Sequence, residues 1–115
     1  MPTSEEHYDR AVDLVGDGDL EGAIEAYREA LKLDPGFADA LEGLSMALAD
    51  RGRWEEAIAA AHRVVELTPD EQLAYTNLSR IYQRSGDVPK AEEWAAKARV
   101  LDWKQQLKAG KPPGN

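Results

Sequence analysis

Apolar side chains recur along this chain at the spacing that places them on one face of an α-helix. In the central segment Leu41, Leu44 and Leu48 form one such series, and a second series runs from Trp54 to Leu67. No alternation of apolar and polar residues typical of a β-strand competes with this pattern. It predicts helices at about residues 4–16, 20–33, 38–51, 54–67, 72–85 and 88–108.

Three sets of marker residues recur at a fixed offset of 34 positions. Each set fits one part of a helix-turn-helix unit. A glycine tolerates the positive φ that ends a helix, an alanine lets two helices cross closely, and a proline cannot continue a helix. The glycines are Gly18, Gly52 and Gly86, the alanines Ala23, Ala57 and Ala91, and the prolines Pro35 and Pro69. Asp19 and Asp87 follow two of the glycines as candidate helix caps, and Thr3 with Glu6 resembles a capping box.

The order of these markers within each unit resembles the tetratricopeptide repeat (TPR) family over about residues 4–103. The resemblance implies an all-α fold, a right-handed α-solenoid of three helix-turn-helix hairpins. It places the repeats at about residues 4–37, 38–71 and 72–105 within one domain of residues 1–109. Trp103 stands where a third proline would fall, so we expect an extended C-terminal helix, followed by a polar tail at residues 110–115.

The terminal repeats depart from the middle repeat at positions that would face a neighbouring repeat. A terminal repeat has no neighbour on one side, so polar residues there indicate surfaces in contact with water. The departures are His7 and Arg10 in place of Leu41 and Leu44, and Glu92 and Arg99 in place of Ile58 and Val65.

Charge is distributed unevenly between the two ends of the chain. Residues 1–70 contain 17 acidic and 6 basic residues, whereas residues 71–115 contain 5 and 8, which gives −8 for the whole chain. Most of this surface would repel nucleic acid and anionic membranes, so neither is an expected partner. With no signal peptide and no long apolar run, no membrane insertion is expected and the cytoplasm is the default location.

In the TPR family the first helices of the repeats line a concave groove that takes an extended peptide or a partner helix. The resemblance therefore implies a protein-interaction module or adaptor whose partner is a protein or peptide. Acidic residues on one side and arginines on the other favour an oriented ligand. The residues carried over to the groove are Glu5, Tyr8, Val12, Asp39, Glu42, Met46, Leu73, Asn77, Arg80 and Arg84. Packing into the core is the alternative for the apolar members, and an ordinary solvated face for the two arginines.

Other ligand classes and chemistries find little support in the residues. The family's clamp for the C-terminal acid of chaperone tails needs basic residues, but its positions carry Tyr8, Val12, Gly43, Leu73 and Asn77. There is no cysteine, no catalytic motif and no metal-ligand spacing of histidines, and residues 16–22 are too short for a calcium loop. We expect no catalytic residue, metal or cofactor, and an enzyme is the least favoured function.

Trp94 and Trp103 suggest a second function. The earlier repeats carry alanine at the position of Trp94, and an exposed patch formed by the two tryptophans would indicate a homo-oligomer assembled through the terminal helices. The alternative is that the C-terminal extension folds over Trp94 and buries it. His62 matches Arg28 of the first repeat, so we expect it to be exposed.

Overall fold

A computed structural model describes residues 1–110 as six α-helices with no strand in that range. The fold is an all-α solenoid of helical hairpins, as predicted, with overall extents of 49 × 31 × 22 Å. The predicted bounds agree with the helices except that the third ends at Asp50, one residue early. The helices are α1 (Ser4–Gly16), α2 (Leu20–Leu33), α3 (Ala38–Asp50), α4 (Trp54–Leu67), α5 (Gln72–Ser85) and α6 (Val88–Lys108). The predicted polar tail lies, apart from Gly110, outside the described residues.

Local hydrogen bonds explain where several helices begin. The Glu6 backbone N–H donates to Thr3 Oγ1 at 3.1 Å, and the Thr3 N–H donates to Glu6 Oε1 at 3.2 Å, which is the predicted capping box. Asp19 and Asp87 accept from backbone N–H groups in the first turns of α2 and α6. The turn glycines that end the first helix of each hairpin have the expected positive φ, between 74° and 94°.

The alanines predicted to lie at the helix crossings are buried in every hairpin. Ala23 and Ala57 are completely buried, and Ala91 is nearly so. A larger side chain at these points would push the helices apart. Leu48, Leu78 and Ile81 fill the space around the crossings, so a single hydrophobic core runs through the stack.

The stack is curved, and the inside of the curve is formed by the first helix of each hairpin. Cα atoms of α1 and α3, and of α3 and α5, approach within 8 Å of each other, whereas none of α2 and α4 or of α4 and α6 do so. The odd-numbered helices therefore stand closer together than the even-numbered ones. The concave side belongs to α1, α3 and α5.

The polar substitutions at the two ends of the stack meet solvent, as the sequence predicts. Arg10, Glu92 and Arg99 are exposed and His7 is half-buried. The matched residues of the middle repeat lie between neighbouring repeats: Leu41, Leu44 and Val65 are buried and Ile58 is half-buried.

Candidate peptide-binding face

The candidate site is the concave side of α1, α3 and α5, which we call the inner face. Direct contacts between alternate helices show which side chains lie there. Burial raises the pKa of Tyr8 of α1, and the charges of Asp39, Asp9 and Glu42 raise it further. The Tyr8 ring also packs against Phe37, with ring centroids 5.1 Å apart, and against Tyr27 at 6.0 Å. The Tyr8 side chain is thus packed partly against the core and remains partly exposed to solvent.

Asn77 of α5 is committed to a contact within the protein. Its side chain is buried and its amide nitrogen donates to Glu42 Oε1 of α3. The hydrogen bond satisfies a buried polar group and fixes the carboxylate of Glu42 on the inner face. Asn77 therefore orients Glu42, and its amide nitrogen already has a partner.

The two predicted arginines have different surroundings. Arg84 donates from Nη2 to Asp50 Oδ1 at 2.9 Å, and its guanidinium lies 5.7 Å from the centroid of the Trp54 ring. Arg80 is exposed, and no carboxylate within residues 1–110 lies within 4.0 Å of it. Arg80 is consequently the arginine of this pair that remains available to a ligand.

Exposed apolar side chains belong to the same three helices. Val12 of α1 is 45% exposed and Leu73 of α5 is 58% exposed, while Met46 of α3 is half-buried. Glu5 and Asp39 are exposed at the same ends of their helices. The inner face therefore combines apolar contact area with acids on α1 and α3 and a basic group on α5.

His62 contradicts the expectation of an exposed histidine. It is half-buried between repeats, with Nε2 2.7 Å from the Tyr82 hydroxyl and its ring edge-on to Trp94 at 5.0 Å. Burial lowers the pKa of His62, although the nearby Glu66 opposes that shift. The expectation came from Arg28 at the matched position, but Trp94 replaces the alanine of the earlier repeats and gives the imidazole an aromatic partner.

Trp94 and Trp103 do not form a joint patch. They are nine residues apart on α6, which places them on opposite sides of the helix. Trp94 packs against Tyr75 and His62, and the Lys97 ammonium lies 4.2 Å from its ring centroid. Trp103 is exposed. The C-terminal extension does not cover Trp94, because it continues α6 as one helix to Lys108.

Residues 1–110 contain no group of three or more histidine, aspartate or glutamate side chains arranged to hold a metal ion. Within the same range no helix is both long enough and apolar enough to cross a membrane. What the described surface offers is apolar area with fixed charges around it.

Comparison with known sequences identifies this architecture. The tetratricopeptide repeat profile matches residues 8–72 and, in a second overlapping match, residues 44–105. The chain belongs to the tetratricopeptide repeat family. The resemblance seen in the sequence is thereby confirmed.

Relatives of this TPR chain have diverse names. Photosystem I assembly protein Ycf3 of Synechococcus sp. (strain CC9605) is 28% identical over 103 residues, which cover 87% of this chain and 58% of that protein. Small glutamine-rich tetratricopeptide repeat-containing protein 2 of Mycosarcoma maydis is 34% identical over 62 residues, or 54% of this chain and 18% of that protein. This TPR chain spans less than two thirds of either relative.

Solved structures of the same fold include two longer proteins. YrrB, described as a TPR protein with an unusual peptide-binding site, superposes with a TM-score of 0.82 at 25% identity over 96% of this chain and 58% of YrrB. MamA superposes with a TM-score of 0.84 at 23% identity over 91% of this chain and 61% of MamA. At that identity the MamA comparison shows the fold alone.

Proposed function

We propose that this TPR chain is a non-catalytic adaptor that binds an extended peptide or a helix of a partner protein on its inner face. The observation that carries the proposal is the exposure of two apolar side chains, Val12 and Leu73, at positions that the family's pattern assigns to the concave side. The same helices carry exposed acids, Glu5 on α1 and Asp39 on α3, and the exposed Arg80 on α5. Apolar contact would supply affinity, and the charges would set the direction of the bound segment.

The inner face is held in shape before any ligand arrives. Asn77 of α5 is hydrogen-bonded to Glu42 of α3. Nearer the C-terminal end of α5, Arg84 is hydrogen-bonded to Asp50 of α3. A preformed surface loses little conformational entropy on binding, so more of the contact energy becomes affinity. The peptide-binding site described for YrrB, which shares this fold, supports a peptide as the ligand.

The test compares two double variants with equal numbers of apolar-to-serine changes. V12S/L73S alters the inner face, and L33S/V88S alters side chains of similar exposure, 57% and 42%, on α2 and α6. With the natural chain as bait, the partner should be captured from a lysate of the source cells. V12S/L73S should weaken its binding by about 2 kcal/mol, or roughly 30-fold, and L33S/V88S should not.

Far-ultraviolet circular dichroism of both variants provides the folding control. Equal capture of the same proteins by the natural chain and by V12S/L73S would contradict the proposal, because the binding surface would then lie elsewhere. Loss of capture in both variants would point to nonspecific hydrophobic adsorption and would also contradict it.

A further inference from the structure

A second groove, separate from the inner face, lies between α6 and the loop that joins α4 to α5. Its volume is about 970 Å³. The loop between α4 and α5 forms one wall with Pro69 and Asp70, Tyr75 of α5 contributes its ring, and α6 forms the opposite wall from Glu93 to Lys108. Val100 and Leu107 line this groove and are 53% and 56% exposed, so no part of the described chain covers them.

Two hydrogen bonds hold the walls of this groove, which we call the α6 groove, in place. Gln105 Nε2 donates to the Asp70 carbonyl oxygen at 2.6 Å and so ties α6 to the α4–α5 loop. The Tyr75 hydroxyl donates to the Pro69 carbonyl oxygen at 2.8 Å on the opposite wall. The groove is therefore formed without a ligand.

The α6 groove is lined by three lysines and two carboxylates, those of Asp70 and Glu93, so its net charge is positive whereas the rest of the molecule is negative. Lys97, Lys104 and Lys108 stand along its α6 wall. Lys97 already lies near Glu93, at 3.8 Å, but no carboxylate within residues 1–110 lies within 4.0 Å of Lys104 or Lys108. An acidic ligand would be repelled by the acid-rich first 70 residues and attracted here.

We propose that the α6 groove binds an acidic amphipathic helix of a partner protein. Leucine-like side chains on one face of that helix would fill the space between Val100, Leu107 and Tyr75. Its carboxylates would meet Lys104 and Lys108 at the rim. The wall from Ala96 to Lys108 is about 18 Å long at 1.5 Å per residue, which accommodates a helix of about 12 residues.

Two other occupants fit the geometry less well. A lipid surface is nearly flat and would touch protruding groups, whereas Pro69 and Tyr75 lie across a recess from α6. A second copy of the chain would have to use its acid-rich first repeat, but the free end of the stack there carries Arg10 and His7, and Ala11 and Leu14 of α1 pack into that copy's own core. A separate acidic helix satisfies both the shape and the charge.

The test uses a fluorescently labelled synthetic peptide of about 14 residues, helical, with leucines on one face and glutamates on the other, and a matched peptide with lysine for every glutamate. Fluorescence anisotropy should show that the natural chain binds the glutamate peptide more tightly than the lysine peptide. K104E/K108E should weaken that binding about tenfold or more, and V100S/L107S should weaken it as well. The control K32E/R63E changes the net charge of the chain by the same amount as K104E/K108E, but on α2 and α4. It should leave the affinity for the glutamate peptide within about twofold.

Several results would overturn the proposal. These are equal affinity for the two peptides, no binding of the glutamate peptide up to about 1 mM, or an equal loss in K32E/R63E. A mass that rises with concentration in the natural chain but not in V100S/L107S would assign the groove to a second copy. Binding to phosphatidylserine vesicles that K104E/K108E abolishes, without peptide binding, would assign it to a membrane. V12S/L73S should keep the peptide affinity, so this proposal and the inner-face proposal fail independently.

Discussion

At the residue scale, the junction between the first two repeats depends on one glycine. Tyr27 of α2 is buried with its ring directly over Gly43 of α3, where a Cβ atom would lie 2.6 Å from the Tyr27 Cε1 atom. At the next junction the sizes are exchanged, because Ala61 stands at the position of Tyr27 and Asn77 at that of Gly43. A large side chain on one helix is matched by a small one on the next.

This pairing predicts that the effect of Gly43→Ala on the free energy of unfolding changes sign when Tyr27 is replaced by alanine. In the natural chain Gly43→Ala should destabilise the fold by about 1–3 kcal/mol, because the new methyl group collides with the Tyr27 ring. In a Tyr27→Ala background the same change should stabilise it by up to about 1 kcal/mol, because alanine favours a helix interior over glycine. Urea unfolding of the four proteins measures both steps. An equal effect of Gly43→Ala in both backgrounds would show that Tyr27 is not the cause.

At the element scale, the helices were predictable because their signals are local and occur three times. The turn glycines and the crossing alanines recur in all three repeats and the capping aspartates in the first and third, so each copy supports the others. Contacts between repeats were harder to predict. The partners of Arg84–Asp50, Asn77–Glu42 and Gln105–Asp70 lie 34 or 35 residues apart, close to one repeat length. A search for complementary polar pairs at that separation could have found them.

The limits of the sequence reading are clear at individual site residues. The resemblance placed ten residues on the inner face, but it could not say which of them already have partners within the protein. That depends on side-chain conformations: Asn77 and Arg84 turn toward acids on α3, whereas Arg80 has no such partner in the described range. The α6 groove was missed because it forms where α6 runs alongside the α4–α5 loop, a juxtaposition that no repeat position records.

The contact between α4 and α6 predicts a dependence of stability on pH. His62 meets Trp94 and Tyr82 in that contact, with Glu66, Lys90 and Lys97 as the neighbouring charges. Burial holds the folded-state pKa of His62 below its unfolded value of about 6.5. The unfolded chain therefore binds a proton first as the pH falls. Stability should be full above about pH 6.5 and should decline below it, toward the lower folded-state pKa.

The check is the free energy of urea unfolding measured across this pH range for the natural chain and for His62→Asn, which keeps a polar side chain but does not titrate. The acid-side decline should be shallower in the variant. His7→Asn, the same substitution at the other histidine of the chain, serves as the matched control. Parallel curves for the natural chain and His62→Asn would rule out His62 as the source.

At the scale of the whole molecule, we predict that the polar residues at the two ends of the described stack keep one molecule from stacking on another. The variant H7L/R10L/E92I/R99V places the residues of the middle repeat at both ends of the stack. One molecule should then stack on the next in the same way as neighbouring repeats stack within one molecule. Light scattering should then show a mass that rises with concentration more steeply than for the natural chain. The matched control H7L/R10L, which changes one end, should not form long assemblies. An unchanged mass in the quadruple variant would mean that these residues do not limit stacking.

The separation of the even-numbered helices gives the molecule unequal stiffness. On the concave side α1 and α3, and α3 and α5, approach one another within 8 Å between Cα atoms and leave little room for compression. On the convex side the gaps are spanned by side chains such as the half-exposed Arg28–Glu56 ion pair, and an exposed pair of this kind contributes only about 0–1 kcal/mol. The spacing of the helices should therefore be nearly fixed on the concave side and more variable on the convex side. A change in curvature should thus be taken up along the outer edge, while the inner face keeps the arrangement in which it binds its ligand.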